Sequence, residues 1–398
     1  MGGNALNFAK TGRKNKQEYE ATMSRVSELL VNLFPAARFA SIVSIEGKES
    51  FGDGDILLEN KNLPADWINQ VQQVFRPSEL YINRIKAPGV TRASPLRFLS
   101  EKFDSYDWAL LNASPQRKMD EIPTERIPCS AISFDFENFQ IDLIVTAPED
   151  FEIAQVYYAY NDLGNLMGRI AARMGFKYGW NGLWKNVGEG NEVYTSICVS
   201  RNPTLIFGML GYDFGIWQLG FESFENMYEY AASTPFFHRE PYMLENRNHK
   251  DRVRDEKRSA YQGFITWLDG KVWLDKHTWL SYEMGTTPPA REREKARYLK
   301  RAENWFPQFK ENLQLTIKER TNADLAKAKF NGGIVGALVP YQGKALGDFM
   351  RYCREGYPIV RGMYFTHPIT FDERIIHMPE DDIKSYIYEC ALRYVGVE

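Results

Sequence analysis

Apolar residues along positions 17–34 fall at Tyr19, Met23, Val26, Leu30 and Leu33, at spacings of four and three. That recurrence draws one stripe on an α-helix, which Pro35 ends. The rhythm then shortens. Phe39 to Ile45 and Asp55 to Leu58 read as short buried strands around a Gly-containing turn, and Ala131 to Val145 carries two more strand-like runs. Beyond about residue 200 helical spacing returns, with Phe224, Met227, Tyr228 and Ala231, and later Phe309, Leu313 and Ile317, marking helix faces. Thr286 to Arg301, with Pro288 and Pro289 followed by mixed charges, reads as a loop entering a solvated helix. The pattern predicts an α+β domain over residues 1–190 and a mainly α-helical domain over 191–398, with no internal repeat.

Charged residues interrupt the strand-like runs at two places. Gly52-Asp53-Gly54-Asp55 sets two aspartates at i and i+2 as the chain enters an apolar strand, so alternation sends both side chains to one face. Asp142 stands alone in Phe139-Gln-Ile141-Asp142-Leu143-Ile144-Val145, where an unpaired buried charge is costly. Taken singly, each fits a plainer part: an ordinary Asp-Gly turn for Asp53 and Asp55, and a water-facing edge residue for Asp142. If the two strands are neighbours, three carboxylates converge on a spot suited to two Mg²⁺ ions about 3.5–4 Å apart, with Gly52 and Gly54 allowing close approach of a phosphate.

The text beyond Asp142 extends the pattern. Gly47-Lys-Glu-Ser and Gly52-Asp53-Gly54-Asp55, then Asp142, Ala147-Pro-Glu-Asp-Phe151, Asn165-Leu-Met-Gly-Arg169, and Gly175-Phe-Lys-Tyr with Gly182-Leu183 follow one another in order. Over roughly residues 40–184 this resembles the DNA polymerase beta-like (family X) nucleotidyltransferases. The resemblance implies a polymerase-beta-like palm over 1–190, followed by the helical domain. It also implies a two-metal mechanism on Asp53, Asp55 and Asp142 with Mg²⁺ (Mn²⁺ as a substitute), and Asn165 and Arg169 facing the nucleotide or the primer end. Asn161, Asn165, Arg169 and Arg173 also recur every four residues, opposite Leu163, Leu166, Met167, Ile170 and Met174, so Arg173 is expected to reach a neighbouring phosphate. A solvated face with scattered arginines is the other reading of that recurrence. The family's Gly-Ser phosphate-binding pair falls here on Ile42 and Val43, its following arginine on Glu46, and its Thr-Gly turn on Ala159-Tyr160. Ser44 and Lys48 are the nearest substitutes for binding triphosphate. Residues 1–40 leave no room for the lyase and helix-hairpin-helix domains of gap-filling members.

The expected reaction joins a nucleotide from a nucleoside triphosphate to the 3′ hydroxyl of tRNA or DNA. Its rivals are transfer to a hydroxyl of a small molecule or protein, and a non-catalytic binding protein on the same fold. The run from Asn246 to Arg258, followed by Tyr261, Phe264 and Trp267, either tracks a single strand or forms a solvated helix face. Lys329-Phe-Asn-Gly332-Gly333 with Gly343-Lys-Ala-Leu-Gly347 is loosely similar to a segment in the tail domains of tRNA nucleotidyltransferases. Composition adds little: 398 residues, 44% hydrophobic, with a net charge of -3, carry no global basic field, so a polyanion needs a local patch. Cys129, Cys198, Cys353 and Cys390 have no zinc spacing and read as reduced thiols. With no apolar run near the roughly 20 residues of a membrane span and no signal-peptide core, a soluble cytoplasmic protein is expected.

Overall fold

The computed structural model describes residues 5–85, 94–100, 116–189, 192–279, 288–355 and 370–394. The chain divides into compact units of residues 1–306 and 307–398. The first unit therefore runs well past residue 190, where the change of pattern suggested a border. Its strands are β1 (Lys14–Asn15), β2 (Phe39–Ser41), β3 (Ser50–Phe51), β4 (Asp53–Glu59), β5 (Glu79–Arg84), β6 (Leu96–Leu99), β7 (Gln116–Lys118), β8 (Cys129–Phe136), β9 (Phe139–Thr146), β10 (Lys177–Gly179), β11 (Gly182–Glu189) and β12 (Glu192–Ser200). Its helices are α1 (Lys16–Leu33), α2 (Trp67–Phe75), α3 (Phe151–Tyr158), α4 (Leu163–Arg173), α5 (Pro203–Leu210), α6 (Phe214–Leu219), α7 (Phe224–Ala231), α8 (His249–Glu256), α9 (Ser259–Leu268) and α10 (Pro288–Trp305).

A reciprocal cap starts α1: Asn15 Oδ1 accepts from the Glu18 N–H at 2.9 Å, and Glu18 Oε2 accepts from the Asn15 N–H at 3.0 Å. The expected stripe is its buried side, with Met23, Val26 and Leu30 all under 7% exposed. Together with Trp67, Ile68, Val71 and Phe75 of α2, it covers one face of a mixed seven-stranded sheet in the order β2-β4-β9-β8-β5-β6-β7. β4 runs parallel to β9 and β6 parallel to β7, while the other neighbours are antiparallel. The chain expected to be strand as far as Ile45 leaves the ladder at Ser41. A two-residue turn, Glu137-Asn138, joins β8 to β9 with φ of 51° and 55°, the left-handed pair that a tight hairpin needs.

Strand alternation divides the residues of β4 and β9 between the two faces. Ile56 and Leu58, like Ile141 and Leu143, point to the α1/α2 core, whereas Leu57 and Ile144 pack with Phe151 and Ala154 of α3 on the other side. Asp53 and Asp55 share the face of Leu57, and Gln140 and Asp142 that of Ile144. The sheet's second face is thus apolar where α3 lies and acidic one turn of the pleat away.

Helix α4 is buried along most of its surface, with Ala172 exposed. Leu163, Leu166, Met167, Ile170 and Met174 are at most 1% exposed, and Asn165 and Arg169 on the polar side are 8% exposed. Gly164 permits this closeness, since a Cβ there would stand 2.2 Å from the Tyr157 carbonyl oxygen. The polar side meets α8. The Arg169 guanidinium donates to Asn165 Oδ1 and lies 3.7 Å from Asp251 and 4.0 Å from Asp255. Arg247 and Arg254 close on the same two aspartates, at 2.8 Å to Asp251 and 3.0 Å to Asp255 respectively. Arg173 is directed to α10, 3.6 Å from the buried Glu294. The run from Asn246 to Arg258 is thus engaged by ion pairs on its α4 side, while Asn248, His249, Lys250, Glu256 and Lys257 form a solvated face, and Tyr261 and Phe264 behind it are fully buried.

The second unit holds α11 (Pro307–Lys329), α12 (Gly332–Gly336), α13 (Gly343–Glu355), α14 (Phe371–His377) and α15 (Glu380–Arg393) around Phe330, Val335, Phe349, Cys353, Ile375 and Ile387. Asn331 caps α12, its Oδ1 accepting from the N–H groups of Gly333 and Ile334. All four cysteines are free thiols. Among the described residues no helix is long and apolar enough to cross a membrane.

Arg169→Ala leaves Arg247 and Arg254 on the two aspartates and removes one charged partner, so it is expected to cost about 1.5–3 kcal/mol of stability. Urea unfolding of the variant checks this; an unchanged midpoint would mean that α4 and α8 do not depend on the network.

Candidate metal centre

Parallel pairing of β4 with β9 sets Asp55 beside Asp142 and Asp53 beside Gln140. Each of Asp53, Asp55 and Asp142 offers an oxygen, and the three oxygens lie within 4.8 Å of one another. Such a group could hold a metal ion, since hard divalent cations take carboxylate oxygens.

The electrostatics of the cluster are those of a site short of positive charge. Burial first, and then repulsion from Asp53 and Asp142, push the Asp55 carboxyl well above its ordinary range, with Lys48 acting in the opposite sense. Asp142 is pushed up to about 6 by burial and by Asp53, although hydrogen bonds from Ser133 and Gln140 favour its ionised form. Gln140 Nε2 donates to both of its oxygens, at 2.9 and 3.0 Å. Tyr19, stacked on Phe51 with ring centroids 3.9 Å apart, has its phenol pushed up to about 12 by burial and by Asp55 and Asp53.

Lys48 lies near the carboxylates: its Nζ is 4.6 Å from the Phe51 ring centroid, and Asp53 and Asp55 partly offset the lowering that burial imposes on its pKa. Ser44 lies in the wall of a cleft of about 800 Å³, along with Glu46, Tyr160, Phe221, Glu222 and Glu229. The loop that carries it is anchored at both ends, by Ile42 N–H to Asp55 O at 3.0 Å and by Gly47 N–H to Glu222 O at 2.9 Å. Gly54 has a packing reason rather than a phosphate one, because a Cβ there would stand 2.4 Å from Met23 Sδ. Asn165, Arg169 and Arg173 are engaged with Asp251, Asp255 and Glu294, so the structure does not gather them with the carboxylates as one ligand-facing set. Sequence reasoning missed Ser133, Gln140 and Tyr19. Ser133 and Gln140 lie on the polar alternation of β8 and β9, which was the available signal.

No protein-family model matches the chain, and no curated protein matches it either.

A carboxyl whose pKa is higher in the folded than in the unfolded protein holds its proton more tightly when folded. Its favourable contribution is complete below the ordinary value of 3.8 and is lost as the pH rises through about 6. Without divalent ions, Asp142→Asn is therefore expected to raise the melting temperature at about pH 7, and to raise it less at about pH 4. Thermal melts in chelator at both pH values test this; a lower melting temperature for the variant at neutral pH would contradict it.

Proposed function

We propose that the protein is a divalent-metal-dependent nucleotidyltransferase with a polymerase-beta-like palm, and that it adds nucleotides from a nucleoside triphosphate to a 3′ hydroxyl of nucleic acid. The observation that carries this reading is the convergence of Asp53, Asp55 and Asp142 at adjoining positions of a parallel strand pair. The order of motifs through residue 184 supports it.

The donor set fits Mg²⁺ or Mn²⁺: three hard oxygen ligands, raised pKa values for two of them, and no soft ligand in the group. When bound, two such ions supply the positive charge that eases deprotonation of the acceptor hydroxyl and steadies the triphosphate. Asp53, Asp55 and Asp142 would hold such ions. Lys48 gives the triphosphate a point charge beside the carboxylates, and Ser44 a hydroxyl donor. The hydroxyl oxygen attacks the α-phosphorus, a new P–O bond forms, and pyrophosphate leaves. Asn165, Arg169 and Arg173 have a structural task in this reading, holding α4 to α8 and α10.

One observation favours a second acceptor class. The residues lining the 800 Å³ cleft that carry a charge at neutral pH are Glu46, Glu222 and Glu229, all acidic, which suits a hydroxyl on a neutral or cationic small molecule or protein better than a polyanion.

The test is incubation with labelled nucleotides, Mg²⁺ or Mn²⁺, and separate DNA, tRNA and protein acceptors. Transfer to a nucleic-acid end is expected, and Asp142→Ala is expected to abolish it while the protein stays folded, because losing one carboxylate relieves repulsion. Equal activity of variant and wild type would sink the assignment, and label on the protein acceptor alone would select the second class.

A further inference from the structure

The acidic face of the sheet continues past the metal ligands, and the start of the chain lies across it. Glu79, fully buried, accepts from the N–H groups of Asn7 at 3.0 Å and of Phe8 and Ala9 at 2.7 Å, and is paired with Arg97. Arg97 in turn donates to the Ala5 carbonyl at 3.2 Å. This anchored segment ends on Gln140, whose Oε1 accepts from the N–H groups of Ala5 at 3.1 Å and Leu6 at 3.4 Å. The other end of the same amide is the Nε2 group that donates to both Asp142 oxygens.

We propose that Gln140 is a positioning residue for the metal-ligating Asp142, and that the backbone N–H groups of Ala5 and Leu6 fix it in that role. This rests on the metal-dependent reading above. Gln140 is 1% exposed, so its amide cannot exchange either partner for water. Turning the amide over would set its oxygen against a carboxylate and its NH₂ against two N–H donors. The N-terminal backbone thus dictates which end meets Asp142. With both carboxylate oxygens held from one side, the plane of the carboxylate is set. With Ser133 also donating to this carboxylate, part of its acceptor capacity of roughly four lone pairs is left for a cation. Partners of this kind, one step behind a ligand, typically govern metal affinity by about 10–100-fold.

The experiment is a Mn²⁺ titration of the full chain, read by water-proton relaxation, alongside urea unfolding of the metal-free protein. Gln140→Met keeps the length of the side chain and removes the amide; it is expected to weaken Mn²⁺ binding by about 10–100-fold. Ala5→Pro removes one N–H donor and leaves β9 untouched; a loss of about 2–10-fold is expected, the worth of one hydrogen bond. A merely structural role would shift the urea midpoint and leave the affinity of folded protein alone. If Gln140→Met does not fold, Ala5→Pro decides. Wild-type binding with unchanged affinity in the folded variants overturns the positioning role only, whereas a wild type that fails to bind Mn²⁺ overturns the metal-site reading along with it.

Discussion

Three carboxylate groups held within 4.8 Å of one another, two of them with raised pKa values, repel one another at neutral pH unless a cation joins them or a proton stays behind. The parallel pairing of β4 with β9 enforces this crowding. One residue of slip in that register would turn Asp142 toward the α1/α2 core and leave Asp53 and Asp55 without their third member. The apolar half of each strand prevents the slip, because Ile56, Leu58, Ile141 and Leu143 are fully buried in that core. Burial on one face of the sheet thus fixes the charge arrangement on the other.

Elsewhere in the first unit, several buried acids are answered by arginine. Asp255 meets Arg169, Arg247 and Arg254, Glu294 meets Arg173, and Glu79 meets Arg97. At the carboxylate cluster the surroundings differ: Asp55 feels Lys48, while Asp142 is held by two neutral donors, Ser133 and Gln140. The first kind of site holds helices together. The second gathers three carboxylates that could hold a metal ion.

How much of this was legible in the sequence depended on range. α1 could be read because its stripe and its stop at Pro35 are local, and the placement of Asp53 and Asp55 on one face follows from alternation alone. That β4 and β9 are neighbours is a long-range fact, reached through the order of motifs and not through any pattern within either strand. The polar face of α4 shows the limit. Its four-residue recurrence of Asn165, Arg169 and Arg173 was visible, but the aspartates that bury it stand over 80 positions later on α8, and nothing in the spacing says whether a basic face meets a ligand or another helix. The anchoring of Gln140 was hidden for the same reason, since the N–H groups that fix its oxygen lie at the start of the chain.

The central claim is that Asp53, Asp55 and Asp142 together bind divalent metal. Its most direct test is a crystal of the protein soaked in Mn²⁺ and measured by anomalous diffraction. The account predicts an anomalous peak within about 2.0–2.6 Å of oxygens from all three aspartates, the range of hard-cation bonds. A well-ordered site with the three carboxylates in place and no peak among them, at Mn²⁺ concentrations that saturate other metalloenzymes, would contradict it.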